Sequence, residues 1–185
     1  MIKRIDALHL LHENMQSVNL RKHCYAVEAV MKSLAVRFDE DEDLWGIAGL
    51  VHDLDYEKYP EKHPLIEIEM FEKKGFPKEV IDAIKAHAWG YREGLPEPKT
   101  KMEWSLYCCD ELTGLIVAVA LTRPDKKLAS VELKSIKKKW KEKSFAKGVN
   151  REQIGKCKEK LGIELDDFIQ IALKAMTGIA DELGL

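Results

Sequence analysis

The stretch GLVHDLDYEKYPEKH (residues 49–63) begins as an apolar run and becomes charged within a few residues. His52 and Asp53 stand side by side directly after the apolar residues, and Asp55 follows them. Burial of that much charge is costly unless the groups are paired or bind a metal. A second histidine, His63, closes the stretch. The stretch therefore predicts a polar or metal-binding site at the end of an apolar helix.

Apolar residues repeat at helical spacing on both sides of this stretch. One predicted helix face consists of His23, Val27, Val30 and Leu34. Similar stripes run through residues 76–89, 104–121 and 166–183, and we expect each of them to be one helix. No sustained alternation of apolar and polar residues, the pattern typical of a strand, is present. The sequence therefore predicts an all-α fold with helices of ~10–20 residues.

Length and composition predict one compact helical protein. A chain of 185 residues is long enough to bury a core of its own. We expect residues 1–125 to form a metal-binding helical domain and residues 126–185 to form a helical extension on the same core. The N-terminus has the pattern of an amphipathic helix and lacks that of a signal peptide. The apolar segment 112–121 is too short to cross a membrane.

Cysteine content and net charge restrict the location and the partners. The four cysteines form no CxxC pair, which is typical of reduced thiols in a cytoplasmic protein. A net charge of −2 provides no general attraction for nucleic acid. We therefore predict a cytoplasmic protein without a membrane or nucleic-acid partner. The sequence leaves the oligomeric state open.

Positive charge is concentrated near the C-terminal third of the chain. Residues 126–147 carry nine lysines against Glu132 and Glu142. Such a run is most simply a solvated helix face, and a role in anion binding is the alternative. If the substrate is an anion, the candidate binding residues are Lys137, Lys138 and Lys139 in this run, with Arg21 and Lys22 near the N-terminus.

Histidine and aspartate supply candidate metal ligands, because imidazole and carboxylate are the usual ligands of zinc, iron and manganese. The candidates are His23, His52, Asp53, His63, His87 and Asp110. Taken singly, each also has an ordinary structural explanation, such as a hydrogen-bonded histidine on a helix face. His52 and Asp53 diverge by roughly 100° around a helix, so they converge on one ion only near a helix end. The residues therefore permit a metal site and do not require one.

The order of these residues resembles the HD-domain superfamily of metal-dependent phosphohydrolases. The matching segments are LRKHCYAVEAV with His23, AGLVHDLD with His52 and Asp53, and YCCDELTG with Asp110. In that family these four positions bind one divalent metal. His63 and His87 are similar to the additional histidine pair of two-metal HD proteins, in which the Asp of the HD pair bridges the ions. The remaining chain resembles the C-terminal part of a small bacterial and archaeal group of predicted HD hydrolases.

The resemblance implies a phosphohydrolase with a centre of two divalent ions, with Mn, Fe, Mg, Co, Ni and Zn all possible. Its substrate would be a phosphate ester, either a nucleotide or another small phosphorylated anion. Asp53 would orient a metal-activated water, and Asp55 or Glu57 would position His52. The segment HAWGYREGLP only partly matches the motif of cyclic dinucleotide phosphodiesterases, so that substrate is not carried over.

Two other functions remain open on the same residues. One is a di-iron HD-type oxygenase, which would contain a mixed-valence iron pair and consume oxygen. The other is a non-catalytic nucleotide-sensing HD scaffold, a role for which an intact ligand set is unusual.

The second metal site makes a geometric prediction. Residues 64–87 should form a helical hairpin that turns at Gly75 and Pro77 and brings ring nitrogens of His63 and His87 within ~5 Å of each other, near Asp53.

Overall fold

The computed structural model describes residues 2–185 and is built from helices. The ten helices are α1 (Arg4–Asn14), α2 (Val18–Phe38), α3 (Glu42–Val51), α4 (Leu65–Lys74), α5 (Lys78–His87), α6 (Lys101–Leu121), α7 (Leu133–Lys141), α8 (Arg151–Leu161), α9 (Leu165–Thr177) and α10 (Ala180–Leu183). Two short 3₁₀ turns, Pro60–Lys62 and Leu128–Ser130, lie between them. Residues 2–185 contain no β-strand, so the predicted all-α fold is confirmed. Met1, the first residue of the predicted domain, lies outside the described residues.

Helices α2 and α6 form the centre of the fold. α2 packs most extensively on α3, and α6 packs on α2, α5 and α8. The core side of α6 carries Leu112, Leu115 and Ile116, all fully buried. α6 is long and apolar enough to span a membrane, but 67% of its apolar stretch is buried inside the fold. A buried core helix can be equally long and apolar.

A close approach of α3 to α2 sets the position of the HD pair. Asp41 caps α3 by accepting a hydrogen bond from Leu44 N at 2.9 Å, and the helix ends at Val51. A Cβ at Gly49 would lie 2.9 Å from the backbone of Glu28 on α2. Only glycine therefore allows this helix crossing without a backbone shift. The crossing places His52, one turn later, against His23 of α2.

Gly49→Ala is therefore expected to destabilise the protein by about 1–3 kcal/mol, because the added methyl group overpacks a contact with backbone atoms that cannot rotate away. Chemical denaturation followed by circular dichroism measures the change. Gly155→Ala on α8 is the matched control, since no heavy atom lies within 4 Å of a Cβ there. Its stability should be equal to wild type or higher by up to about 1 kcal/mol. Equal stability of both variants would contradict the proposed close contact.

Helices α4 and α5 form the predicted hairpin. Gly75 ends α4 with a positive φ of 70°, a conformation that glycine adopts without steric cost. Pro77 directly precedes α5. His63 lies just before α4 and His87 is the last residue of α5, so the hairpin brings both histidines to one end. The turn at Gly75 and Pro77 is as predicted.

The C-terminal helices pack on the same hydrophobic cluster as the N-terminal ones. Ile154 of α8 and Phe168 of α9 are fully buried in that cluster. One helix boundary differs from the prediction, because residues 166–183 are not a single helix. α9 ends at Thr177 and a short α10 follows after Gly178. The apolar stripe continues across the break, so periodicity alone could not locate it.

Candidate metal centre

Six titratable side chains converge where α3 ends, and we call them the metal cluster. They are His23 of α2, His52 and Asp53 after α3, His63 before α4, His87 at the end of α5 and Asp110 of α6. Each comes from a helix or a helix terminus, so the backbone holds it in a fixed position. His52, His63 and His87 are buried, whereas His23, Asp53 and Asp110 are partly open to solvent.

Four of these side chains form one half of the cluster. His23 Nε2 lies 2.9 Å and His52 Nε2 lies 3.4 Å from Asp110 Oδ1. Both nitrogens lie 3.6 Å from Asp53 Oδ2. Ligand atoms at about 2.1 Å from a common ion are separated by about 3.0 Å in octahedral and about 3.4 Å in tetrahedral geometry. The observed separations are close to these values, so His23, His52 and Asp53 lie close enough together to hold one divalent ion, and Asp110 lies beside both imidazoles.

The other half contains the histidine pair and the second oxygen of Asp53. Asp53 Oδ1 lies 3.4 Å from His63 Nε2 and 3.8 Å from His87 Nε2. The two imidazole nitrogens are 3.1 Å apart, well inside the predicted ~5 Å. Asp53 thus offers one oxygen to each half, which is the arrangement of a carboxylate that bridges two ions.

All four imidazoles use Nδ1 for a contact outside the cluster. The partners of Nδ1 are Gly49 O for His52 (2.9 Å), Ile84 O for His87 (2.5 Å), Asp55 Oδ1 for His63 (2.7 Å) and Thr113 Oγ1 for His23 (3.3 Å). Carbonyl and carboxylate oxygens only accept hydrogen bonds, so Nδ1 of His52, His63 and His87 carries the proton. When such an imidazole is neutral, its Nε2 has the lone pair that metal-binding histidines use, and this Nε2 points into the cluster.

Two features of the cluster are unfavourable without a cation. His52 Nε2 is buried and has no hydrogen-bond partner, which costs about 1–3 kcal/mol for an ordinary polar group. In their neutral forms with the proton on Nδ1, His63 Nε2 and His87 Nε2 would direct their lone pairs at each other across 3.1 Å. A bound cation would satisfy all three nitrogens. The donor set therefore fits divalent metals that accept nitrogen and oxygen ligands.

The electrostatic state of the cluster leads to the same conclusion. Burial lowers the pKa of His52, but the nearby Asp53 and Asp110 outweigh it and raise this pKa to about 9. Burial likewise opposes ionisation of Asp53 and Asp110, yet neighbouring histidines lower the pKa of both carboxyl groups. Both carboxylates are thus ionised at neutral pH. They concentrate negative charge where the histidine nitrogens converge.

Metal binding should therefore release protons. With a pKa of about 9, His52 is protonated at pH 7 in the metal-free protein, and it must lose this proton to bind an ion through Nε2. We expect release of about one proton per chain when Mn²⁺ binds, and an affinity that falls as the pH is lowered. Isothermal titration calorimetry in two buffers of different ionisation enthalpy measures the release. A binding enthalpy that is the same in both buffers would contradict it.

Two further acids hold His63 in place. Asp55 accepts hydrogen bonds from His63 Nδ1 and, at 3.0 Å each, from the backbone nitrogens of Ile66 and Glu67 at the start of α4. The Glu67 carboxylate in turn accepts a hydrogen bond from Asp55 N at 3.1 Å. Burial, together with Asp55 and Asp53, raises the pKa of Glu67 well above its usual value. Asp55 is therefore a positioning residue for His63.

This arrangement corrects two expectations and adds one residue. Asp55 contacts His63, and the predicted contact of Asp55 or Glu57 with His52 is wrong. Glu57 lies away from the cluster and accepts hydrogen bonds from the backbone of Gln16 and Ser17. Sequence reasoning missed Glu67, which lies in the first turn of α4, four residues after His63.

The cluster opens into a cleft of ≈ 400 Å³, which we call the metal cleft. The remaining lining residues are Leu20, Tyr56, Ala88, Tyr91, Glu111, Gly148 and Gln153. The rings of Tyr56 and Tyr91 stand edge-on to His63, with centroids 5.3 and 6.2 Å from it. Gly148 and Gln153 show that the C-terminal extension contributes part of the wall. No lysine or arginine belongs to the lining formed by residues 2–185.

The cationic residues predicted to bind substrate lie elsewhere. Arg21, near the start of α2, donates hydrogen bonds to the backbone oxygens of Met15 and His12. Among the lysines of α7, Lys137 pairs with Asp166 and Lys139 pairs with Glu142, each at 2.6 Å. Lys22 and Lys138 also do not line the metal cleft. The structure thus brings the predicted metal ligands together and leaves these five cations outside.

A family model described as HD domain matches residues 20–113, just over half of the chain. The matched region runs from α2 to α6 and contains all six residues of the metal cluster. No curated protein matches the chain.

Proposed function

This chain belongs to the HD domain family, and from that membership we propose that it is a metal-dependent phosphohydrolase acting on a small phosphorylated substrate. One observation supports the proposal most strongly. Asp53 offers one oxygen to a His23–His52–Asp110 group and the other to the His63–His87 pair. Two divalent ions ~3.5–4 Å apart are a common arrangement in enzymes that catalyse nucleophilic displacement at phosphorus. The family and the donor set together favour phosphate ester hydrolysis.

The metal cluster would hold the ions through its four imidazoles and two carboxylates. When bound, divalent ions activate water as a nucleophile near neutral pH and neutralise charge on the phosphoryl group. The proposal includes two divalent ions, with Mn, Fe, Mg, Co, Ni and Zn all possible. The hydrogen bonds made by Nδ1 fix the orientation of each imidazole before any ion binds, so the ligands are pre-organised.

In the proposed reaction a water oxygen forms a bond to phosphorus, the ester P–O bond breaks, and the alcohol leaves with a proton. Asp53, between the two halves of the cluster, would orient the attacking water. Tyr56 and Tyr91 provide hydroxyl donors at the mouth of the cleft. Burial, together with Tyr91 and Asp53, raises the pKa of Tyr56, so its phenol stays protonated and can donate to a phosphate oxygen.

A second candidate function rests on the same six side chains. A cluster of four histidines and two aspartates also suits a di-iron oxygenase, for which nitrogen and oxygen ligands around iron are appropriate. Oxygen consumption by iron-loaded protein would favour this candidate. A sensing scaffold would bind a nucleotide without turnover. For either activity we propose a cytoplasmic location, which fits the four buried free thiols.

The test begins with metal analysis of protein purified without chelator. Phosphatase and phosphodiesterase activity is then measured with Mn²⁺, Mg²⁺, Co²⁺ and Fe²⁺ on a panel of phosphate esters. We expect metal-dependent phosphate release that a chelator abolishes. His9→Ala, which alters an exposed histidine outside the cluster, is the control and should retain activity. Oxygen uptake without phosphate release would overturn the proposal in favour of the oxygenase.

A further inference from the structure

A second hollow lies directly behind His23, between α2, α6 and the last residues of the chain. Its volume is ≈ 430 Å³, similar to that of the metal cleft. Its walls are largely apolar and include Ala26, Val117, Leu121, Leu183 and Leu185, and the polar side chains of Asn19 and Lys22 line it as well. We call this hollow the apolar groove.

The apolar groove adjoins the metal cleft. His23 lines both hollows. Along α6, Asp110 faces the cleft, whereas Thr113 and Gly114, one turn later, line the groove. Val117 lies about 10 Å beyond Asp110 along the helix axis. The groove therefore begins about one helical turn from the metal cluster, beside the His23–Thr113 contact.

A glycine keeps the groove open. Gly114 lies in the interior of α6, where glycine is less favourable than any residue except proline. No heavy atom lies within 4 Å of the position that a Cβ would take there. Close packing therefore does not require glycine at this position. A larger side chain would project into free space and fill the groove.

The charges in the metal cleft limit how much negative charge a bound substrate can carry. No lysine or arginine lines the cleft in the described chain, whereas Asp53, Asp110 and Glu111 do. Two divalent ions would carry four positive charges, and the carboxylates of Asp53, Asp110 and Glu111 offset as many as three of them. The small positive excess that remains suits a single phosphate group. A di- or triphosphate would bring additional negative charge without a cationic side chain in the cleft to balance it.

We propose that the substrate is the phosphate monoester of an apolar alcohol, with its phosphate at the metal cluster and its hydrocarbon part in the apolar groove. This inference rests on the proposed phosphohydrolase function and narrows its substrate class. The cleft provides charge for one phosphate group, and the groove provides an apolar surface that begins beside the same histidine. Burial of each methylene group in such a surface increases affinity about fourfold.

The test uses the series methyl, butyl, hexyl and octyl phosphate with the Mn²⁺-loaded full chain. We expect kcat/KM to rise at least about tenfold from methyl to hexyl phosphate, because several methylenes leave water. Gly114→Leu should reduce the hexyl-to-methyl ratio to less than about 3, since the leucine side chain occupies the groove. Elemental analysis of this variant confirms that its metal content is intact.

Gly155→Leu is the matched control. Gly155 also lies in a helix interior with no heavy atom within 4 Å of its Cβ position, and it is exposed and lines neither hollow. This variant should keep the wild-type dependence on chain length. Loss of that dependence in Gly155→Leu as well would show that the effect of leucine is general and would overturn the assignment of the groove.

Two further outcomes separate this inference from the proposed function. If methyl and hexyl phosphate are hydrolysed equally well, the groove is rejected and the phosphohydrolase function stands. If no ester is hydrolysed, the phosphohydrolase function fails, and binding is compared by saturation-transfer NMR. Hexyl phosphate that binds wild type at least tenfold more tightly than Gly114→Leu would then support the groove, and equal binding would reject it.

Discussion

Asp53→Ala is expected to remove both metal ions and to lower phosphatase activity by at least about a thousandfold. Asp53 is the one side chain that contacts both halves of the metal cluster, through Oδ2 to His23 and His52 and through Oδ1 to His63 and His87. Its removal deletes one ligand from each predicted ion. Loss of several kcal/mol of charge stabilisation at the reacting phosphate corresponds to that factor. Elemental analysis and kcat/KM measure the two effects.

Asp43→Ala is the control for this prediction, because Asp43 is an exposed aspartate in the first turn of α3. It should keep the wild-type metal content and activity. Circular dichroism checks that both variants are folded. Full metal occupancy in folded Asp53→Ala would show that this carboxylate is not a ligand and would contradict the bridging arrangement.

His87→Ala is expected to remove one ion and leave the other. The imidazole of His87 approaches Asp53 Oδ1 and His63, whereas the other half of the cluster has its own four side chains. Its Nδ1 contacts only the backbone oxygen of Ile84, so the substitution leaves no buried charged partner behind. We expect the metal content to fall from two ions to one. The activity should fall by about a hundredfold, since one of the two charges that clamp the phosphate is lost.

His63→Ala tests the same site but perturbs the structure more, because it also leaves buried Asp55 without its imidazole partner. It should lose the same ion as His87→Ala and also unfold at a lower temperature. Two ions in folded His87→Ala would contradict the second site, and with it the di-iron alternative. A single ion in wild type, bound by the half of the cluster that contains His23, would also contradict the second site.

The local pattern of the sequence was sufficient for most of the helices. Spacings of three and four residues located α2, α3 and α6, and Gly75 with Pro77 located the turn between α4 and α5, because these signals act within one or two turns of chain. The order of His23, His52–Asp53 and Asp110 was sufficient to recognise the family. The break at Gly178 escaped prediction, because the apolar stripe continues across it and only packing separates α9 from α10.

The tertiary structure decided what the sequence left open at the site. A spacing of 24 residues between His63 and His87 does not establish that their nitrogens lie 3.1 Å apart, since hairpin closure depends on packing against the rest of the core. The pairing of Asp55 with His63 likewise depends on how the chain turns before α4. Side-chain type determined which residues can bind a cation. Long-range packing, through the close crossing at Gly49, determined where they meet. It also left the cationic candidates outside the cleft, where Arg21 donates to backbone oxygens and Lys137 and Lys139 pair with carboxylates.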